Sequence, residues 1–109
     1  MRRIMLTVLL AMTVVESQAI GSLGPAKVIQ VRVDSNGTGM VIFDQPLVGT
    51  PPACVISSYA NALAFSGTAG KSVLALALVA KATGTPLAVV YGTGTCSTYG
   101  VAEDWNYGQ

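Results

Sequence analysis

The stretch SGTAGKSVLALALVAKATG, residues 66–84, holds the residue pair with the most suggestive chemistry in the chain, Lys71-Ser72 behind two glycines. A phosphate-cradling loop needs G-x-x-x-x-G-K-[ST], with the second glycine five positions after the first so that backbone N–H groups can wrap an anion. Phe65 stands where that first glycine belongs, and Gly67 lies only three residues before Gly70. The loop is too short for a nucleotide. Lys71 could act as a base on Ser72, but near a helix start a lysine is ordinarily solvated. Ser57, Ser58 and Ser97 have no histidine to activate them, because the chain contains none. The acids Asp34, Asp44, Glu103 and Asp104 include one adjacent pair, and adjacent strand residues point to opposite faces, which separates them. Two cysteines without histidine cannot complete a tetrahedral metal site. The expectation is a protein that is not an enzyme, with no cofactor and no metal.

Binding chemistry is better represented. Tyr91, Tyr99, Trp105 and Tyr107 cluster in the last twenty residues, with Tyr59 apart from them. Aromatic rings offer flat apolar faces with a polar handle, suited to sugar rings or protein partners. Tyr99, Glu103, Trp105 and Tyr107 form the candidate ligand-binding set, with Asp104 and Asn106 beside Trp105 as further hydrogen-bonding groups. Glu103, Trp105 and Tyr107 share one face if the strand alternates regularly. The competing reading makes Trp105 and some tyrosines plugs of a barrel end or of a subunit joint.

These residues belong to a chain whose first segment reads as a leader. Arg2 and Arg3 precede an apolar run from Ile4 to Val15, and Ser17-Gln18-Ala19 is a small-x-small cleavage sequence. Residues 1–19 are expected to be a signal peptide and residues 20–109 a single domain, periplasmic or secreted. The apolar run is shorter than the roughly 20 residues that span a bilayer, so no membrane span is expected. Of six Lys+Arg and five Asp+Glu, removal of Arg2, Arg3 and Glu16 leaves four of each. A neutral chain lacks the basic stripe of a nucleic-acid binder. In an oxidising compartment Cys54 and Cys96 are expected to form a disulfide.

Elements follow from pattern. Residues 20–25 read as a flexible lead-in. KVIQVRV alternates, with Ile29, Val31 and Val33 on one face and Val28, Gln30 and Arg32 on the other, and the Asn36-Gly37 turn returns it into MVIFD as a hairpin. Pro46, Pro51 and Pro52 bracket a connection, and a third strand is expected near residues 61–65. A helix follows, capped by Ser66 or Thr68 and stopped by Gly84 and Pro86. PLAVVYGT and VAEDWNYGQ supply two further strands. The order strand, strand, strand, helix, strand, strand fits a mainly β fold with one helix, a small OB-fold-like barrel; an open α+β sheet is the alternative.

The helix has no wet side. At 100 degrees per residue, Val73, Leu74, Leu76, Leu78 and Val79 fall all around its circumference, and Lys81 is the sole charge from Val73 to Ala82. One barrel covers only one side, so these five residues are the expected interface of a homo-oligomer, in a closed ring. The alternative is an alanine-rich helix whose exposed apolar atoms are tolerated.

The layout from Cys54 to Cys96, with GKSVLALALVAKATGTPLAVVYGTGTCS at its centre, resembles the pentamer-forming B subunits of AB-type bacterial toxins, and more closely the subtilase-cytotoxin-type B subunit. That resemblance implies an exported OB-fold subunit in a ring of five, helices lining a central channel, a surface that binds cell-surface glycans, and a possible A-subunit partner. No sugar-contacting residue is carried over. The alternative function is a non-catalytic structural or inhibitor protein of the periplasm or envelope.

Overall fold

The computed structural model describes residues 20–109; the expected signal peptide lies outside the described residues. Seven strands and one helix follow in the order β1 (Gly21–Leu23), β2 (Val28–Val33), β3 (Gly39–Phe43), β4 (Val48–Gly49), β5 (Ala62–Phe65), α1 (Gly67–Thr83), β6 (Val90–Gly92) and β7 (Glu103–Gly108). The class is mainly β with one helix. One hydrogen-bonded sheet runs β2-β3-β5-β7-β6-β1-β4, and it is not closed: β2 and β4 stand at its edges. All pairings are antiparallel except β5 with β7, which α1 and β6 separate in the chain. Parallel neighbours require such a crossover.

The expected hairpin is β2–β3. Its turn closes through Gly37 N–H donating to the Asp34 carbonyl at 3.0 Å, with Gly37 at φ 89°, and Asn36 Oδ1 accepts from the Thr38 N–H and hydroxyl. The regular alternation expected for β2 does not hold. A register shift between Val28 and Gln30 inserts a bulge, so that Val28 and Val31 turn toward the core while Ile29 is 48% exposed; Val33, on the face of Val31 at the strand's end opposite Gly39, is 54% exposed. An extra residue in one strand reverses the facing of all that follow.

Two further corrections concern short strands. The lead-in is not flexible: residues 21–23 form β1, paired with both β6 and β4, and the proline-bracketed connection contributes β4. The strand expected over PLAVVYGT shortens to β6, while Leu87 makes a single bridge with Ala26.

The sheet is covered on both faces along β3 and β5. Val41, Phe43, Leu63 and Phe65 face α1 and pack with Val73, Ala77 and Ala80. Met40, Ala62 and Ala64 face the other way, onto Ala102, with Tyr59 and Tyr99 at the margin. Hence all four residues of β5 are buried. The helix ends as expected, with Gly84 at φ 72° donating to the Ala80 carbonyl. At its start Ser66 occupies the capping position, but no side-chain oxygen caps the early N–H groups.

The Cys54–Cys96 disulfide is present and joins the loop after β4 to the loop before β7, across 42 positions of sequence. No helix among the described residues is long and apolar enough to cross a membrane.

A candidate binding cleft beside Trp105

The parallel strand β7 starts beside β5, with Glu103 opposite Leu63, and runs on past the end of β5, where α1 begins. A cleft of about 430 Å³ opens there, floored by Ala64, Gly70 and Val73 and walled by Trp105. Its polar rim comes from Ser66, Ser97, Thr98, Asp104 and Asn106. A second hollow of about 240 Å³ continues on the far side of the indole, bounded by Ser72, Leu76 and Tyr107. Trp105 and Asn106 line both, so the half-buried indole stands as a partition in one groove along the helix flank.

Backbone geometry fixes that ring. Gly108 lacks a side chain where one is impossible, since a Cβ there would stand 2.5 Å from Trp105 Cζ2. The indole therefore lies across β7 and packs on the core near Val90.

The rim is held by Asp104. Its Oδ2 accepts from the Ser97 N–H at 2.7 Å and the Thr95 hydroxyl at 3.0 Å, and its Oδ1 accepts from the Thr98 N–H at 3.0 Å. Burial alone would raise the Asp104 pKa, but the N–H groups of Thr98 and Ser97 and the hydroxyls of Thr98 and Thr95 outweigh it and hold it below the ordinary carboxylate value. A charge held this way stays ionised and orients the loop. The disulfide at Cys96 pins the same loop covalently.

The four expected ligand-binding residues do not converge. Trp105 lines the groove, and Tyr107 borders only its second hollow. The register shift between Tyr91 and Gly92 breaks the alternation of β7, so Tyr107 stacks on Tyr91, ring centroids 5.9 Å apart, instead of sharing a face with Trp105. Tyr99 is committed elsewhere. Its hydroxyl donates to the Asp34 carboxylate and meets the Thr38 hydroxyl at 2.9 Å, with the Arg32 guanidinium 5.3 Å over its ring. Arg32 Nε also pairs with Asp34 Oδ1 at 2.9 Å. Hydrogen bonds from Arg32 and Tyr99 hold the Asp34 pKa below its ordinary value, and burial with the bond to Asp34 raises that of Tyr99.

Glu103 is the surprise. It is 1% exposed, and its carboxylate accepts from Gly21 N–H at 3.1 Å on both oxygens and from Gly94 N–H at 2.9 Å. The slot exists because two neighbours are glycine: a Cβ on Gly21 would come 2.6 Å from Oε1, and one on Gly92 would overlap the carboxylate. Glu103 braces β1, β6 and β7 and is closed to any ligand.

The helix residues also separate. Val73 is buried against the chain's own sheet, and Leu74 and Leu76 are half-buried beside it. Leu78 and Val79 are 47% and 61% exposed. Lys71 and Ser72 lie on the exposed surface of the first turns, and the described residues contain no cluster able to hold a metal ion.

Sequence reasoning found Trp105, Asp104 and Asn106 but missed Ser66, Ser97 and Thr98, which only the parallel pairing of β5 with β7 brings to the same rim. No family model, curated protein or solved structure matches the chain, so its functional reading rests on this geometry.

Proposed function

We propose that the chain is a secreted, self-associating subunit that binds carbohydrate, in the manner of a toxin B subunit, and performs no catalysis. The observation that carries this reading is the half-buried Trp105 indole partitioning a groove whose rim is hydroxyl, amide and carboxylate. A sugar ring presents C–H groups to an aromatic face and hydroxyls to the polar groups around it. The cleft falls in the usual volume range of small-ligand sites, roughly 300–1,000 Å³. Asn106 supplies a donor and an acceptor, Ser66 and Ser97 supply hydroxyls, and Asp104 holds the rim in place.

Self-association follows from the outer face of α1. The chain's own sheet covers Val73, Ala77 and Ala80 and leaves Leu78 and Val79 wet, beside a shallow apolar groove formed by Leu76, Pro86 and Leu87. Full burial of each such side chain is worth about 1.5–3 kcal/mol. A neighbouring copy in a closed ring, five as the resemblance implies, would cover them; an A-type partner would sit on that ring.

A glycan array with the processed protein tests the reading. Trp105→Ala should abolish sugar binding while leaving the assembly and the circular dichroism spectrum unchanged. Silence of the unsubstituted protein across the array would favour a structural or inhibitory envelope protein, in which Trp105 serves only to cover Val90 and Gly108.

A further inference from the structure

Glu103 is a buried carboxylate with no cation beside it among the described residues. Among the described residues the only ion pair joins Arg32 to Asp34. Among the described residues, two backbone N–H groups, of Gly21 and Gly94, are its only hydrogen-bond donors. A carboxylate offers about four acceptor positions, and a buried charge is ordinarily paired. Burial pushes its pKa up and the neighbouring Asp104 adds to that, while the two N–H groups work against it.

The place of Gly21 in the chain suggests where a cation could come from. It is the second residue after the Ser17-Gln18-Ala19 cleavage sequence. We propose that hydrolysis of the Ala19–Ile20 bond supplies the missing charge, the new α-ammonium group of Ile20 pairing with the Glu103 carboxylate and locking β1 into the sheet. The step consumes one water; Ala19 leaves with a carboxylate, and the Ile20 amine takes up a proton. A processing peptidase of the export pathway is the catalyst.

Chain connectivity bounds how far apart the two groups can lie. Gly21 N lies 3.1 Å from both carboxylate oxygens, and the Ile20 nitrogen is one residue away, under about 3.8 Å from it. The peptide unit between them is fixed at both ends: the Ile20 carbonyl accepts from Thr50 N–H at 3.1 Å, and Gly21 N–H donates to Glu103. Once the bond to Ala19 is cut, rotation about the Ile20 ψ angle moves the ammonium without disturbing either hydrogen bond. Opposite charges within about 4–6 Å favour each other's ionised forms. Among the described residues β1 is the only strand that holds β4 in the sheet, so the pair secures that whole edge once the leader is gone. The proposal rests on residues 1–19 being an export leader and is independent of what the groove binds.

The test uses the protein purified after export. N-terminal sequencing should return Ile20 first. Added to the unfolded chain before refolding, cyanate near neutral pH carbamylates an α-amino group ahead of lysine side chains, because unpaired α-amino groups lose their proton at lower pH. Carbamylation should move the titration of the Glu103 carboxyl carbon, followed by NMR, to higher pH and lower Tm by about 4–8 °C. In Glu103→Gln the same carbamylation should leave Tm unchanged. A first residue other than Ile20, a Glu103 titration unmoved by carbamylation, or an undiminished Tm loss in Glu103→Gln would each overturn the proposal. If Glu103→Gln does not fold, the titration of the unsubstituted protein decides alone.

Discussion

Gly92→Ala should be among the most damaging single-methyl additions in the molecule. Gly92 is a strand residue whose added Cβ would overlap the Glu103 carboxylate. Because Glu103 is 1% exposed and fixed by Gly21 and Gly94, it cannot swing into solvent without abandoning both N–H groups. Overpacking a filled site costs about 1–3 kcal/mol, and displacing a hydrogen-bonded charge adds about 1.5–3 kcal/mol. The sum, about 2.5–6 kcal/mol, is a large share of the 5–15 kcal/mol typical of a domain. Glu103→Ala alone should cost about 1–3 kcal/mol for each N–H left unsatisfied. In the double variant the new methyl group occupies space the carboxylate has vacated, so the two costs should not add. Urea unfolding of the four proteins gives the coupling, expected to be at least about 1 kcal/mol in the rescuing direction. Costs that add, at constant m-value, would show that Gly92 is not glycine on account of Glu103.

Three other outcomes follow from the same structure. Reduction of Cys54–Cys96 should lower stability by about 4 kcal/mol on chain-entropy grounds for a 42-position loop, read from urea unfolding with and without dithiothreitol. Asp34 and Asp104 both have folded pKa values below their ordinary ones, so the unfolded chain binds their protons first as pH falls. Their contribution to stability is therefore complete above about pH 5 and is lost as pH falls through the folded values; Asp34→Asn and Asp104→Asn should each flatten the acid limb of a Tm-against-pH profile. Val79→Asp should leave the fold intact, since the side chain is 61% exposed, and shift light-scattering mass toward the single chain; an unchanged mass, or a single-chain mass before substitution at micromolar concentration, would refute the proposed self-association through this face.

Periodicity and terminators made the main elements legible. The hairpin turn at Asn36-Gly37, the helix from Ser66 to its Gly84 stop, and the strands at Ala62–Phe65 and Glu103–Gly108 all carry local signals strong enough to survive in the fold. What escaped was non-local. β1 is three residues, Gly-Ser-Leu, with no β-branched member, and it is a strand only because β6 and β4 lie on either side of it. Bulges in β2 and β7 are invisible to a rule of alternation, and they decide that Ile29 is exposed and that Tyr107 faces away from Trp105. Glu103 read as a ligand-binding residue because its slot is made by glycines outside its own strand. The glycines at 21, 92 and 94 were its only trace. The groove beside Trp105 was half legible: its aromatic wall was evident, its hydroxyl rim depended on a parallel strand pair.

The most direct test of the account is the affinity of the processed protein for immobilised glycans, compared with Trp105→Ala and with Trp105→Phe. Binding that is lost in the first and partly retained in the second, with unchanged assembly mass, is the expected result. Binding undiminished in Trp105→Ala, or none from the unsubstituted protein to any glycan, would contradict it.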